Sequence, residues 1–216
     1  MASIDRPIRD HHARRRGPAL LAVLLLLITG GCGWLKRQAY EGGDRDSWQQ
    51  PEKVVAALAL APNAEVADLG AGGGYFTFRL ADAVPQGRVY AVDVDEDMTR
   101  YLEERSVEEG RRNVTVVLAE PEDAGLPGQV DWVFTCNTFH HLPDQAAYFE
   151  RLKASLAPGG RVAIVEYVPE EGFSLLGDHA TGEDSIRAAM EQAGYELEAD
   201  HSFLARQSFL VFAPRP

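Results

Sequence analysis

Apolar and polar positions recur along this chain in two rhythms, and the switches between them predict its elements. After Pro51, Val54, Val55, Leu58 and Leu60 fall at roughly helical spacing, and proline suits the first helical position, so a helix opens there. Short runs rich in β-branched and aromatic residues predict strands at 65–69, 88–93, 113–118, 131–135, 161–167, 195–201 and 208–212. Amphipathic stretches between them predict helices at 75–83, 96–109, 144–156 and 183–193, the third stopped by "APGG". Strands separated by helices imply a doubly wound α/β fold, a Rossmann-like, mostly parallel sheet with helices on both faces. The last two runs are too close in sequence for a helical crossover, so they predict an antiparallel pair.

Before this body the pattern differs. Arg6, Arg9, Arg14, Arg15 and Arg16 precede an apolar run from Ala19 to Ile28, and Thr29, Gly30 and Gly31 then lead to Cys32. Basic, apolar, small is the order of a signal peptide. The apolar run falls well short of the roughly 20 residues a spanning helix needs. Small residues directly before a cysteine resemble a bacterial lipobox, although Thr29 stands where leucine is usual. The expectation is a signal peptide or membrane anchor over 1–31, a tether over 32–50 attached to a membrane by lipid on Cys32, and a catalytic domain over 51–216. That would make the protein a lipoprotein on the periplasmic side. An uncleaved anchor on the cytoplasmic face of the inner membrane is the alternative.

The chain has 216 residues, 45% of them hydrophobic and 25% charged, enough for one packed domain. Residues 1–31 hold five of its 21 Lys and Arg but two of its 33 Asp and Glu, which leaves 16 basic against 31 acidic residues beyond them. A body that acidic is repelled by phosphate backbones, so nucleic acid is not expected as a partner. Cys136 is the only cysteine besides Cys32, which excludes a disulfide framework and a cysteine-based metal site.

The chemistry concentrates in "EVADLGAGGGYFTFRLA", residues 65–81, where a strand ends in Asp68, glycines stand at 70, 72, 73 and 74, and a helix follows. Glycines let backbone approach a nucleotide-like ligand, and a helix start offers unpaired N–H groups. A dinucleotide fingerprint begun at Gly70 would need glycine at 75, where Tyr75 stands. The carboxylate of Asp68 also suits a ligand with an amine and a cationic centre better than a pyrophosphate. The next strand ends in Asp93, in "VYAVDVDEDM", placed to accept hydrogen bonds from ribose hydroxyls. A nucleoside without a pyrophosphate describes S-adenosylmethionine. Asp68 as a strand-end helix cap and Asp93 as a solvated loop carboxylate are the plainer alternatives.

With "VDWVFTCNTFHHLPD" and "LAPGGRVAIVEY" following in order, the chain from about Trp48 to Phe212 resembles the class I S-adenosylmethionine-dependent methyltransferases, in their methyltransferase 11-like branch. The resemblance implies a seven-stranded sheet with the last strand antiparallel. It further implies that Asp68, Gly70, Ala71 and Gly72 line the methionine moiety and that Asp93 binds the ribose. Val94 and Met98 would pack near the adenine, Glu120 would hold its amino group, and Asn137 would lie beside the reacting methyl.

A general base is needed only where the acceptor must lose a proton. His140 is the candidate, with Glu166 and Tyr167 as lesser ones. The pair His140 and His141 would otherwise order its loop. No H-x-x-x-H spacing occurs and His179 and His201 are dispersed, so no metal is expected. The segment 169–182 and the tether would close over the site. The prolines of the amino-methyltransferase signature are missing from "NTFH", and one cysteine in the body falls short of an arsenic ligand set. The acceptor is a small or lipid-like molecule with an oxygen, nitrogen, carbon or sulfur nucleophile. A nicotinamide-dependent reductase and a non-catalytic binding module are the rival readings; no tyrosine has a lysine four residues on, as short-chain dehydrogenases require.

Overall fold

The computed structural model describes residues 44–168 and 181–216. The expected signal segment, Cys32, the tether up to residue 43, and 169–180 of the expected closing segment lie outside the described residues.

Seven strands form one sheet: β1 (Glu65–Leu69), β2 (Arg88–Asp93), β3 (Val114–Leu118), β4 (Val130–Cys136), β5 (Leu156–Tyr167), β6 (Tyr195–Asp200) and β7 (Gln207–Pro214). Their order is β3-β2-β1-β4-β5-β7-β6. β7 runs antiparallel to both neighbours, β5 and β6, while the other pairs are parallel. The expected doubly wound sheet and its antiparallel last strand are therefore present. Among the described residues six α-helices accompany it: α1 (Arg45–Gln49), α2 (Pro51–Ala57), α3 (Thr77–Ala83), α4 (Glu96–Glu108), α5 (Gln145–Leu152) and α6 (Glu183–Gln192).

Successive side chains of a strand leave opposite faces, and the central strands are apolar on both. On β5, Val162 and Ile164 join the core that holds Phe149, Ile186 and Met190, whereas Ala163 and Val165 join the core that holds Val54, Leu80 and Phe209. Tyr195 fastens β6 to α5 by donating its hydroxyl to the Phe149 carbonyl at 2.9 Å. Because β1 and β4 are neighbours and the chain winds outward from them in opposite directions, a crevice opens at their carboxyl ends.

Two expectations are corrected. The tether reading fails at its end: Arg45–Gln49 is helical, and Gln49 is fully buried against the body, which therefore begins before Pro51. The helix expected over 144–156 stops at Leu152, and after a 3₁₀ turn β5 already begins at Leu156. "APGG" lies inside that strand. Val130 pairs with Leu156 and Trp132 with Arg161, so residues 157–160 bulge out opposite a single residue of β4.

Candidate active site

The crevice is a cavity of about 1030 Å³, lined by the ends of β1, β2 and β4, by α1, and by the turn after β4. Sites for drug-sized ligands run from roughly 300 to 1,000 Å³, so a nucleoside and a second small molecule fit together here.

The glycine turn after β1 is held from two sides. Gly70 and Ala71 donate their N–H groups to the Val92 carbonyl at 2.8 and 3.0 Å, and Gly72 donates to Asp93 Oδ2 at 2.8 Å. Gly70 has a φ of 77°, and a Cβ there would lie 2.1 Å from Thr138 Oγ1, so this close crossing of the β1 and β4 ends requires glycine. Asp93 Oδ1 accepts the Asp95 N–H at 3.0 Å, which fixes the carboxylate plane. A carboxylate has about four acceptor positions, so two oxygens remain able to take a vicinal diol.

Asp68 is buried at the end of β1 and accepts the Thr77 hydroxyl at 2.6 Å. Burial raises its carboxyl to about 7; the Thr77 hydrogen bond and nearby Arg45 oppose that rise and Asp93 adds to it. A cationic ligand group in the cavity would draw out the ionised form. A pyrophosphate would meet two carboxyl groups, Asp68 and Asp93, on the same lining.

At the end of β4, Asn137 takes the left-handed conformation, with a φ of 55°. The next turn places His140 in the lining, and its Nδ1 lies 3.1 Å from Glu166 Oε1 at the end of β5. Glu166 is fully buried, and Oε1 also accepts the Tyr167 N–H at 3.0 Å. The His140 and His141 rings stand 3.9 Å apart.

Most residues expected from sequence meet in this cavity: Asp68, Gly70, Ala71, Gly72, Asp93, Val94, Glu120, Asn137 and His140 all line it. Glu120 is exposed on its rim, its backbone paired with Asp123. Met98 does not join them; it is 3% exposed and packed inside. The end of the expected tether lines the cavity through Asp44, Arg45 and Trp48, and what sequence reasoning missed is that it does so as the helix α1. Trp48 stacks on Tyr167 with ring centroids 5.7 Å apart, and Arg45 lies 3.8 Å over the Tyr75 ring. Arg79 pins α1 by bonding Asp46 at 3.1 Å, and Tyr75 donates its hydroxyl to the same carboxylate. Five residues are too few for a periodic pattern; the signal present was Asp44 followed by Ser47, whose hydroxyl donates back to it at 2.8 Å.

A protein-family model for a methyltransferase domain matches residues 67–162. A crystal structure of a SAM-dependent methyltransferase from Aquifex aeolicus is 27% identical, with a TM-score of 0.74 over 81% of this chain and 95% of that one. Residues 67–162 of this chain are thus similar to a methyltransferase domain, and the fold is similar to that of a SAM-dependent methyltransferase. An arsenite methyltransferase of Halobacterium salinarum is 31% identical over 65% of this chain and 39% of its own length. A trans-aconitate 2-methyltransferase of Rhodopseudomonas palustris is 30% identical over 61% of this chain and 49% of its own. The chain thus spans less than half the length of these curated relatives.

Proposed function

We propose that this protein transfers the methyl group of S-adenosylmethionine to a small or lipid-like acceptor. The observation that carries the reading is the Asp93 carboxylate, fixed by Gly72 and Asp95 at the end of β2 beside a buried Asp68 in one cavity. Asp93 would hold the ribose hydroxyls, Asp68 the ammonium group, and Val94 and Glu120 would border the adenine. When bound, S-adenosylmethionine supplies an electrophilic methyl on a sulfonium centre. The protein's work is then orientation and exclusion of water. His140, whose Nδ1 lies 3.1 Å from Glu166 Oε1, would be the base for an acceptor that must lose a proton.

Calorimetric titration of the full chain tests the reading. Saturable binding of S-adenosylmethionine and its demethylated product supports it, and binding of NADH instead would overturn it. Methyl release from S-adenosylmethionine in the presence of a metabolite extract separates an enzyme from a binding module.

We propose in addition that Cys32 is lipidated and tethers the domain to a membrane, which rests on the order of arginines, apolar run and small residues before it. Mass spectrometry of the mature N-terminus decides this, since an intact Met1 would remove the tether.

A further inference from the structure

The two outermost strands of the sheet, β6 and β3, are built differently. β6 reads "YELEAD": Glu196, Glu198 and Asp200 stand along it, and its pairing with β7 shifts register between Leu197 and Ala199. Charges and an irregular ladder are means by which an edge is kept from pairing with another chain. β3 reads "VTVVL", carries no charge, and pairs with β2 in unbroken register. Leu118 at its end is 54% exposed. An edge of this kind is a template for a further strand.

The hydrogen-bonding groups of that edge fall in a defined pattern. Val89 donates its N–H to the Asn113 carbonyl at 2.8 Å, and Ala119 donates its own to the Asp93 carbonyl at 2.9 Å, so the odd-numbered residues from 113 to 119 turn their backbone groups toward β2. Those of Val114, Val116 and Leu118 point away from β2 and have no bonding partner among the described residues. The pattern is symmetric about Val116. Directly opposed residues of an antiparallel pair exchange both bonds. A second β3 turned about Val116 therefore sets Val116 against the partner's Val116 and Val114 against the partner's Leu118, and every outward group is satisfied. The flanks complete the match. Arg112, just before β3, and Glu120, just after it, are both exposed, and neither side chain has a partner among the described residues. The same register brings each Arg112 toward the partner's Glu120.

We infer that β3 is an interface between two copies of this chain, joined edge to edge about a two-fold axis at Val116 into one continuous sheet. The occupant of the edge is a second copy because the apolar run and its flanking charges complement themselves in that register, and a two-fold contact closes on itself. Glu120 lines the cavity, so each copy sets a cation at the rim of the other's candidate site. The interface stands whether or not the cavity takes S-adenosylmethionine.

The test is sedimentation velocity of the full chain in detergent, from roughly 1 to 100 μM, with amide hydrogen exchange read by NMR at both ends of that range. A dimer is expected whose Val114, Val116 and Leu118 amides are protected at the high concentration and exchange on dilution, while those of Thr115, Val117 and Ala119 are protected at both. Monomers at every concentration overturn the inference, whether the edge is then bare or covered by another segment of the chain. A dimer in which the three outward amides stay unprotected also overturns it, because the contact then lies elsewhere. Leu118→Lys changes an exposed position and should weaken the dimer about tenfold or more; unchanged association in that variant counts against the interface. Arg112→Glu sets like charges opposite each other and should weaken it about tenfold, and adding Glu120→Arg should restore it to within about threefold. Reversal of both charges without recovery overturns the register.

Discussion

Asp93 Oδ2 accepts the backbone N–H of Gly72 at 2.8 Å, so the carboxylate at the end of β2 holds the turn that follows β1. One side chain thereby shapes the loop and lines the cavity. Asp93→Ala should lower S-adenosylmethionine affinity by about a hundredfold, the loss of charged hydrogen bonds to a diol. It should also cost about 1–2 kcal/mol of folding stability from the released turn. Calorimetry and denaturant unfolding read the two effects separately, and unchanged affinity would remove Asp93 from the site.

Asp68 makes both stability and binding depend on pH. Its carboxyl stands at about 7 in the fold because of burial, against roughly 3.9 in an unfolded chain. The folded state therefore holds the proton more tightly, so this group's contribution is fully present below about pH 4 and is lost as pH rises to about 7. Asp68→Asn should flatten that part of the stability profile. An ammonium ligand needs the ionised carboxylate, so affinity should rise from pH 5.5 toward neutrality, with proton release on binding. Titration at pH 6 in buffers of different ionisation enthalpy measures that release, and its absence would place the ammonium elsewhere.

His140→Ala should reduce methyl transfer by about a hundredfold or more while donor affinity stays within about twofold. Glu166→Gln keeps the shape but weakens the hold on Nδ1, so it should fall between that variant and the parent. Equal losses of binding and turnover in His140→Ala would reduce the residue to a loop-ordering role.

Gly70→Ala sets a side chain against Thr138 at a backbone conformation with a φ of 77°. A destabilisation of about 1–3 kcal/mol is expected, read by urea unfolding. Thr138→Ala combined with it should recover part of the loss, the part due to contact and not to backbone geometry.

The fold was legible because the central strands β1, β2 and β4 are short, apolar and bounded by turn residues. Even the reversal of β7 follows from the short link after β6. Asp68, Asp93 and the glycine turn were legible because they sit at strand ends, where the pattern changes abruptly. What escaped had no periodic signature. Arg45–Gln49 is a single helical turn and more, set by packing against Tyr75 and Arg79 rather than by its own propensity. Gln49 and Gln207 carry no local signature of burial, and only their meeting across 158 positions makes them buried partners. Met98, expected near the adenine, is buried on α4 and is not in the cavity lining.

β7 enters the sheet between β5 and β6, and it brings Gln207 under the cavity. Every earlier strand can pair while the chain is still being made, but β6 has no sheet partner until β7 arrives. At roughly 5–20 residues per second of synthesis, the nascent protein would pass seconds with β5 ending in an open edge and the cavity floor missing. Such an intermediate is the state in which a chaperone or a protease would meet this protein. The sheet's last strand is therefore also the event that ends its vulnerability.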